Sequence, residues 1–112
     1  MKSIRVTRRA QAQLADIFLY SIEHWGDSIA ERYRDSLIAR LHALAAGEPP
    51  AGRSCGLLIS PGRSDIGLKY FREGGHFIVY RETADTLIVL DFIHQSRKLD
   101  DIIDRLTNSD DQ

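Results

Sequence analysis

The sequence predicts an α+β domain in which one strand and two helices precede a three-stranded antiparallel meander and a short C-terminal helix. Apolar residues recur every three or four positions between Thr7 and Gly47, as in amphipathic helices. Three β-rich runs separated by turn residues follow within residues 68–94. A chain of 112 residues supplies one well-buried core and not two. We therefore expect a single domain over residues 1–112, with a frayed acidic tail from about residue 107.

The chain is predicted to begin with a short strand that leads directly into a helix. Ile4 and Val6 alternate with polar neighbours, which indicates a strand, and the Thr7 hydroxyl can cap the helix that follows. Gly26 should end this helix, since glycine commonly follows the last helical residue. The residues expected to face the core are Leu14, Ile17, Phe18, Ile22 and Trp25.

A second helix is predicted immediately after the first. Ser28 and Glu31 have capping-box spacing, and the helix must stop before Gly47 and the Pro49-Pro50 pair. Because the link between the two helices is so short, they should pack as an antiparallel hairpin. The residues expected to face the core are Ala30, Tyr33, Leu37, Leu41 and Leu44.

The second half of the chain is predicted to form a meander after a long loop. Residues 47–66 hold all three prolines and four glycines, which is typical of an irregular connection. The turn residues that follow set hairpin-length links between strands. The expected strands cover residues 68–72, 76–82 and 86–94. The short C-terminal helix is predicted from the apolar stripe Leu99, Ile102, Ile103 and Leu106.

The strand predicted over residues 86–94 is apolar on both faces. Strict alternation places one set of three side chains on one face and a second set on the other. The helical hairpin can cover only one face, so the other must be covered by the tail helix, by a partner protein, or by both, because large exposed apolar patches are rare in monomers. The two sets are Ile88, Leu90 and Phe92, and Leu87, Val89 and Ile93.

The composition argues against several classes of protein. A net charge of -1 is too small for a protein that binds nucleic acid by neutralising phosphates alone. No apolar run reaches the roughly 18 residues that span a membrane, and the amino terminus lacks the pattern of a signal peptide. Cys55 has no second cysteine with which to form an internal disulfide. We expect a cytoplasmic protein without membrane contact.

The sequence contains no convincing motif for a cofactor or a metal ion. The segment from Gly56 to Ser64 suggests a phosphate-binding loop, but five residues separate its glycines and Arg63 replaces the required lysine. The four histidines are scattered without cysteine or carboxylate at ligand spacing. Trp25 and the other aromatic residues occupy positions expected in the core, unlike a base-stacking platform. We expect no metal, no cofactor and no direct sequence-specific DNA binding.

One polar group at the end of the last strand could carry chemistry. Metal-independent RNA cleavage needs a base, an acid and cations to stabilise the charged phosphorane. His94, with Arg72, Arg81 and Arg97, contains these groups if the meander brings the strand ends together. The same side chains are more typical of a solvated strand end with a structural histidine. Catalysis by these four residues therefore stays an alternative hypothesis.

Three segments carry a resemblance to a known family. Residues 12–25 have its leucine and aromatic spacing, GLKYFREGGHFIVYRE spans residues 67–82, and FIHQSRKLD spans residues 92–100. Together with the order of the elements over roughly residues 3–100, these motifs resemble the ParE branch of the RelE/ParE toxin superfamily of bacterial type II toxin–antitoxin systems. The resemblance implies the α+β fold predicted above.

The same resemblance implies a function in plasmid stabilisation or stress response. It implies a toxin that inhibits DNA gyrase by protein–protein contact and that a cognate antitoxin neutralises in a hetero-oligomer. The alternatives are a RelE-like, ribosome-dependent mRNA endoribonuclease and a non-toxic binding protein of the same fold. The nucleases generally place a tyrosine or similar group near the carboxyl end, and no tyrosine follows Tyr80, which favours the gyrase inhibitor.

An antitoxin of this kind would be a mostly disordered segment that folds onto an apolar surface of the toxin. Antitoxin segments that carry acidic residues would pair with a basic rim around that surface. The candidate rim residues are Arg5, Arg8, Arg9, Arg72 and Arg81.

Overall fold

Two helices pack against one face of a mixed β-sheet, in agreement with the predicted α+β class. The computed structural model describes residues 1–55, 67–99 and 102–103. Within these ranges no helix is long and apolar enough to cross a membrane. The elements are β1 (Ser3–Val6), α1 (Arg8–Trp25), α2 (Asp27–Ala45), β2 (Arg53–Ser54), β3 (Leu68–Glu73), β4 (His76–Glu82) and β5 (Thr86–His94), and Leu99, Ile102 and Ile103 are helical.

The sheet contains the predicted meander and two further strands. Its strand order is β1-β5-β4-β3-β2, with β3, β4 and β5 antiparallel and β1 parallel to β5. The sequence did not predict β2, a two-residue strand in the long connection that pairs with Tyr70 and Lys69 of β3. The suspected phosphate-binding segment, residues 56–64, lies outside the described residues.

The residue that precedes each helix determines where the helix begins, but only the start of α1 was predicted correctly. The Thr7 hydroxyl accepts a hydrogen bond from the Ala10 amide at 3.2 Å, which is the predicted cap of α1. The predicted capping box of Ser28 and Glu31 is wrong, because α2 begins earlier, at Asp27. Gly26, at φ 87°, makes this possible by turning the chain sharply between the helices.

The helix face of the sheet, which we define as the surface under α1 and α2, carries the largest core cluster. Ile78 and Tyr80 of β4 are fully buried there, together with Leu87 and Val89 of β5. Because α1 and α2 lie across these strands, Leu37 of α2 is also fully buried. The predicted core-facing residues of α2 are confirmed at Ala30, Leu37, Leu41 and Leu44, while Tyr33 is partly buried.

A β-bulge in β5 corrects the predicted alternation of its side chains. Val79 pairs with Asp91 whereas the next residue of β4, Tyr80, pairs with Val89, so Leu90 is an extra residue in β5. The bulge reverses the alternation beyond this point. Phe92 therefore packs in the helix-face cluster, and the prediction that it shares a face with Ile88 and Leu90 is wrong. The prediction that Ile93 shares a face with Leu87 and Val89 is wrong for the same reason.

The opposite surface, which we call the tail face, carries two smaller clusters. The first joins Cys55, Leu68 and Leu90 with Ile103, and the second joins Val79 and Ile93 with Ile102. Leu99 packs against both clusters. The prediction that the tail stripe lies on apolar surface is confirmed for Leu99, Ile102 and Ile103, while Leu106 lies outside the described residues.

Candidate functional site

A groove of about 920 Å³ lies between the tip of the helical hairpin and the paired ends of β4 and β5. Its wall is mostly apolar and comes from the helices, whereas its floor is polar and combines Tyr33 of α2 with residues at the strand ends. The lining residues are Asp16, Ile17, Tyr20, Ser21, Trp25, Ile29, Tyr33, Gly75, His76, His94, Gln95 and Ser96. A concave surface with apolar walls and a few convergent polar groups is the general form of a binding site.

The apolar wall of the groove is an exposed aromatic cluster at the end of α1. Trp25 is 57% exposed and Tyr20 is 53% exposed, so the prediction that the aromatic residues of this helix belong to the core is wrong at both positions. The physical reason is position, because the last turns of α1 contain no buried residue beyond Ser21 and lead directly into the turn at Gly26. Tyr20 and His24 stack with their ring centres 3.8 Å apart, and Trp25 meets the Tyr20 ring edge-on at 5.8 Å.

The floor of the groove is a hydrogen-bonded cluster around the Tyr33 hydroxyl. Tyr33 projects from α2 and its hydroxyl accepts a hydrogen bond from the Gly75 amide at 3.1 Å. The same oxygen lies 3.0 Å from the Glu73 carbonyl and 2.7 Å from His76 Nδ1. Burial raises the pKa of Tyr33, so it stays a neutral hydroxyl. This cluster ties the β3–β4 turn to the helical hairpin.

Two histidines face each other at the floor. His76 and His94 are paired in the β4–β5 ladder, and their ring centres are 5.2 Å apart. Burial lowers the pKa of His76 to about 4, with a further contribution from His94. His94 is exposed, and its Nδ1 accepts a hydrogen bond from the Ser96 amide at 3.0 Å. The proton of a neutral His94 ring is therefore on Nε2.

The four residues of the nuclease hypothesis are distributed over both faces of the sheet. His94 opens to the groove on the helix face, whereas Arg72 pairs with Phe77 and Arg81 with Leu68, both tail-face residues. Arg72 donates hydrogen bonds to the Gly74 carbonyl and the Gln95 side chain. Arg97 follows β5 and is exposed. The structure thus does not bring the four side chains together on one surface.

The five predicted rim arginines are also spread over the molecule. Arg8 and Arg9 lie on the first turn of α1, and Arg9 Nη2 is 3.2 Å from Asp91 Oδ2. Asp91 is 1% exposed, and burial raises its pKa against the lowering effect of the Arg9 guanidinium. The remaining three arginines, Arg5, Arg72 and Arg81, project from the tail face.

Sequence reasoning did not identify the groove, although one signal was present. Tyr20, His24 and Trp25 are crowded into the last six residues of a helix, directly before Gly26. Successive residues of an α-helix are about 100° apart, so Tyr20 and Trp25 point roughly 140° apart around α1 and cannot both face the sheet. In the described part of the chain, no three His, Cys, Asp or Glu residues are grouped as metal ligands.

Comparison with known proteins identifies the family. The family model described as the ParE toxin of type II toxin-antitoxin system, parDE, matches residues 4–99. Among solved structures, the chain is similar to one described as the chromosomal ParDE TA system from P. aeruginosa, with a TM-score of 0.64 and 19% identity over 84% of this chain and 96% of that chain. A search of curated proteins gives no match. Because the family model spans most of the sequence, the chain belongs to the ParE toxin family of type II toxin–antitoxin systems.

Proposed function

We propose that this protein is a toxin that inhibits DNA gyrase by protein–protein contact in the cytoplasm, and that a cognate antitoxin neutralises it. The family assignment supports a toxin, and the exposed aromatic groove supports contact with another protein. The observation that carries the proposal is the cluster of Tyr20 and Trp25, each more than half exposed at the hairpin tip. Exposed tyrosine and tryptophan beside a groove are typical of residues that dominate binding energy at protein interfaces.

A ribosome-dependent nuclease is the runner-up, and the distribution of charge does not favour it. The transition state of RNA cleavage is stabilised by cations placed around a single phosphate. Arg72 and Arg81 lie on the tail face, away from the groove that contains His94. The groove itself also contains the acidic side chain Asp16, which repels phosphate.

The test is to add the purified chain to a gyrase supercoiling assay and, separately, to a ribosome-dependent mRNA cleavage assay. We expect inhibition of supercoiling and no cleavage. Trp25→Ser should weaken gyrase inhibition by about tenfold or more, the scale of an interface residue worth over 1 kcal/mol. The matched control is Ile38→Ser on α2, which removes a 37% exposed apolar side chain outside the groove and should change little.

His94→Ala separates the two hypotheses in the same assays. A contact inhibitor needs no proton transfer, so this variant should still inhibit gyrase, and any loss should be limited to the contact that the His94 side chain makes in the groove. If the wild-type chain cleaves mRNA and the folded His94→Ala variant does not, the protein is a nuclease and the gyrase proposal is wrong. Activity in neither assay would favour the non-toxic binding protein.

A further inference from the structure

Two arginines of the tail face lie in one row of the sheet. β1 and β4 flank β5, and the strand register places Arg5 and Arg81 opposite the same residue, Ile88, from its two sides. Directly paired residues of adjacent strands share a face, and strands are about 4.8 Å apart, so the two Cα atoms are roughly 10 Å apart. Two long side chains at this separation can reach one common ligand.

The charges of Arg5 and Arg81 are not neutralised within the described residues. Neither side chain forms an ion pair there, although other cations around the sheet do. The carboxylates of the sheet are already engaged, since Glu73 pairs with Arg40, Glu82 with Lys2 and Lys69, and Asp91 with Arg9. As far as the described residues go, the row therefore keeps two positive charges for an external ligand.

The surroundings of Arg81 strengthen its attraction for an anion. The side chain is half-buried, and its Nε is shielded from solvent without a hydrogen-bond partner in the described part of the chain. Partial removal from water raises the strength of charge-assisted hydrogen bonds to a carboxylate. Ile88, which packs against the Leu68 and Leu90 cluster, supplies an apolar floor between the two arginines.

We propose that Arg5 and Arg81 form a clamp that binds a carboxylate of the antitoxin as its segment crosses β1, β5 and β4. This inference rests on the proposed function. It selects two of the five rim candidates, since Arg9 and Arg72 already have intramolecular partners and Arg8 lies on α1. Two cations beside an apolar residue fit an acidic peptide, whereas nucleic acid requires a longer basic track.

The test measures the affinity of the chain for the product of the reading frame next to its gene, as the candidate antitoxin, at low and high salt. Arg5→Gln and Arg81→Gln should each weaken binding by about tenfold, and the double variant should also lose part of the salt dependence. Arg81→Lys keeps the charge but loses the planar fork, so its affinity should fall between wild type and Arg81→Gln. Arg32→Gln on α2, an exposed arginine away from the sheet, is the matched control and should bind within about twofold of wild type.

The outcomes separate the clamp from the proposed function. If wild type binds the neighbouring gene product and the double variant binds it equally well, the clamp is wrong and the toxin–antitoxin function stands. If wild type does not bind it, both are wrong. Should Arg81→Gln fail to fold, the exposed Arg5→Gln still tests the clamp, because unchanged affinity there overturns it. If Arg5→Gln or Arg81→Gln changes the sedimentation of the chain without antitoxin, the two arginines contact a second copy of the chain. That result would overturn the antitoxin assignment.

Discussion

The two faces of the sheet are stabilised in different ways. The helix face is one continuous cluster covered by two helices of 18 and 19 residues. The tail face has two separate clusters, which Leu99, Ile102 and Ile103 cover. The cations follow the same division, since Lys2, Lys69 and Arg40 are paired with carboxylates on the helix face. The named cations of the helix face are thus neutralised within the chain, while Arg5 and Arg81 of the tail face form no ion pair with the described residues.

The largest expected effect is a loss of stability when the apolar cover of the tail face is removed. Replacing Ile102 and Ile103 together with Asp puts charge at positions that are 6% and 0% exposed. We expect a loss of roughly 1.5–3 kcal/mol in the free energy of unfolding for each side chain, from lost apolar burial alone. Urea unfolding monitored by circular dichroism measures it.

The matched control for this prediction is the double replacement of Ile29 and Ile38 with Asp. These isoleucines are 43% and 37% exposed on α2, so their replacement should cost much less. If the tail variant unfolds at the same urea concentration as wild type, the tail residues contribute nothing to stability in the isolated chain. The tail face would then be open before any partner binds.

The sequence predicted most of the fold because the fold follows from local periodicity. The Thr7 cap, the hairpin at Gly26 and the three strands of the meander each depend on residues adjacent in sequence. The bulge at Leu90 could not be predicted in this way, because it is a property of the pairing between two strands. It decides which face Phe92 occupies, and so the allocation of apolar side chains to the two faces was partly wrong.

The candidate sites were less predictable than the fold. An apolar stripe on a helix indicates which side chains face one direction, but not which of them other elements cover. Trp25 was therefore assigned to the core although it is exposed. Likewise, the sequence named Arg5 and Arg81 among the basic residues, but only the register of β1, β5 and β4 places both beside Ile88.

A second, smaller effect concerns a titratable group on the helix face. Half-buried His76 is surrounded by Tyr33 of α2, His94 of β5 and the β3 end at Glu73, and burial lowers its pKa to about 4. In the unfolded chain a histidine titrates near 6.5, so the unfolded state binds more protons between these values. The free energy of unfolding should therefore fall as the pH falls from about 6.5 towards 4.

Replacing this histidine tests the prediction. His76→Gln keeps hydrogen-bonding capacity without the titration and should flatten the pH dependence of the urea midpoint in that window. His42→Gln, which removes an exposed histidine of α2 outside this cluster, is the matched control. Equal slopes in wild type and His76→Gln would show that the buried imidazole is not what makes the helix face sensitive to acid.

The smallest expected effects come from removing one charge on each face of the sheet, Glu82 on the helix face and Arg81 on the tail face. Glu82 receives Lys2 and Lys69 at 2.8 and 2.9 Å, and the hydrogen bond from Lys2 is the main reason that its pKa is lowered. Glu82→Gln should therefore cost about 0.5–1 kcal/mol at pH 7, in the range of partly exposed ion pairs. The ion pairs of Glu82 stabilise the fold only while its carboxylate is ionised. The cost of Glu82→Gln should therefore vanish as the pH falls below the pKa of Glu82. Arg81→Gln removes a half-buried cation without an ion pair in the described residues and leaves a polar side chain there, so it should cost less than Glu82→Gln. Arg81→Gln could instead lower the free energy of unfolding more than Glu82→Gln does. Arg81 would then stabilise the fold itself, and its charge could not be assigned to binding a partner.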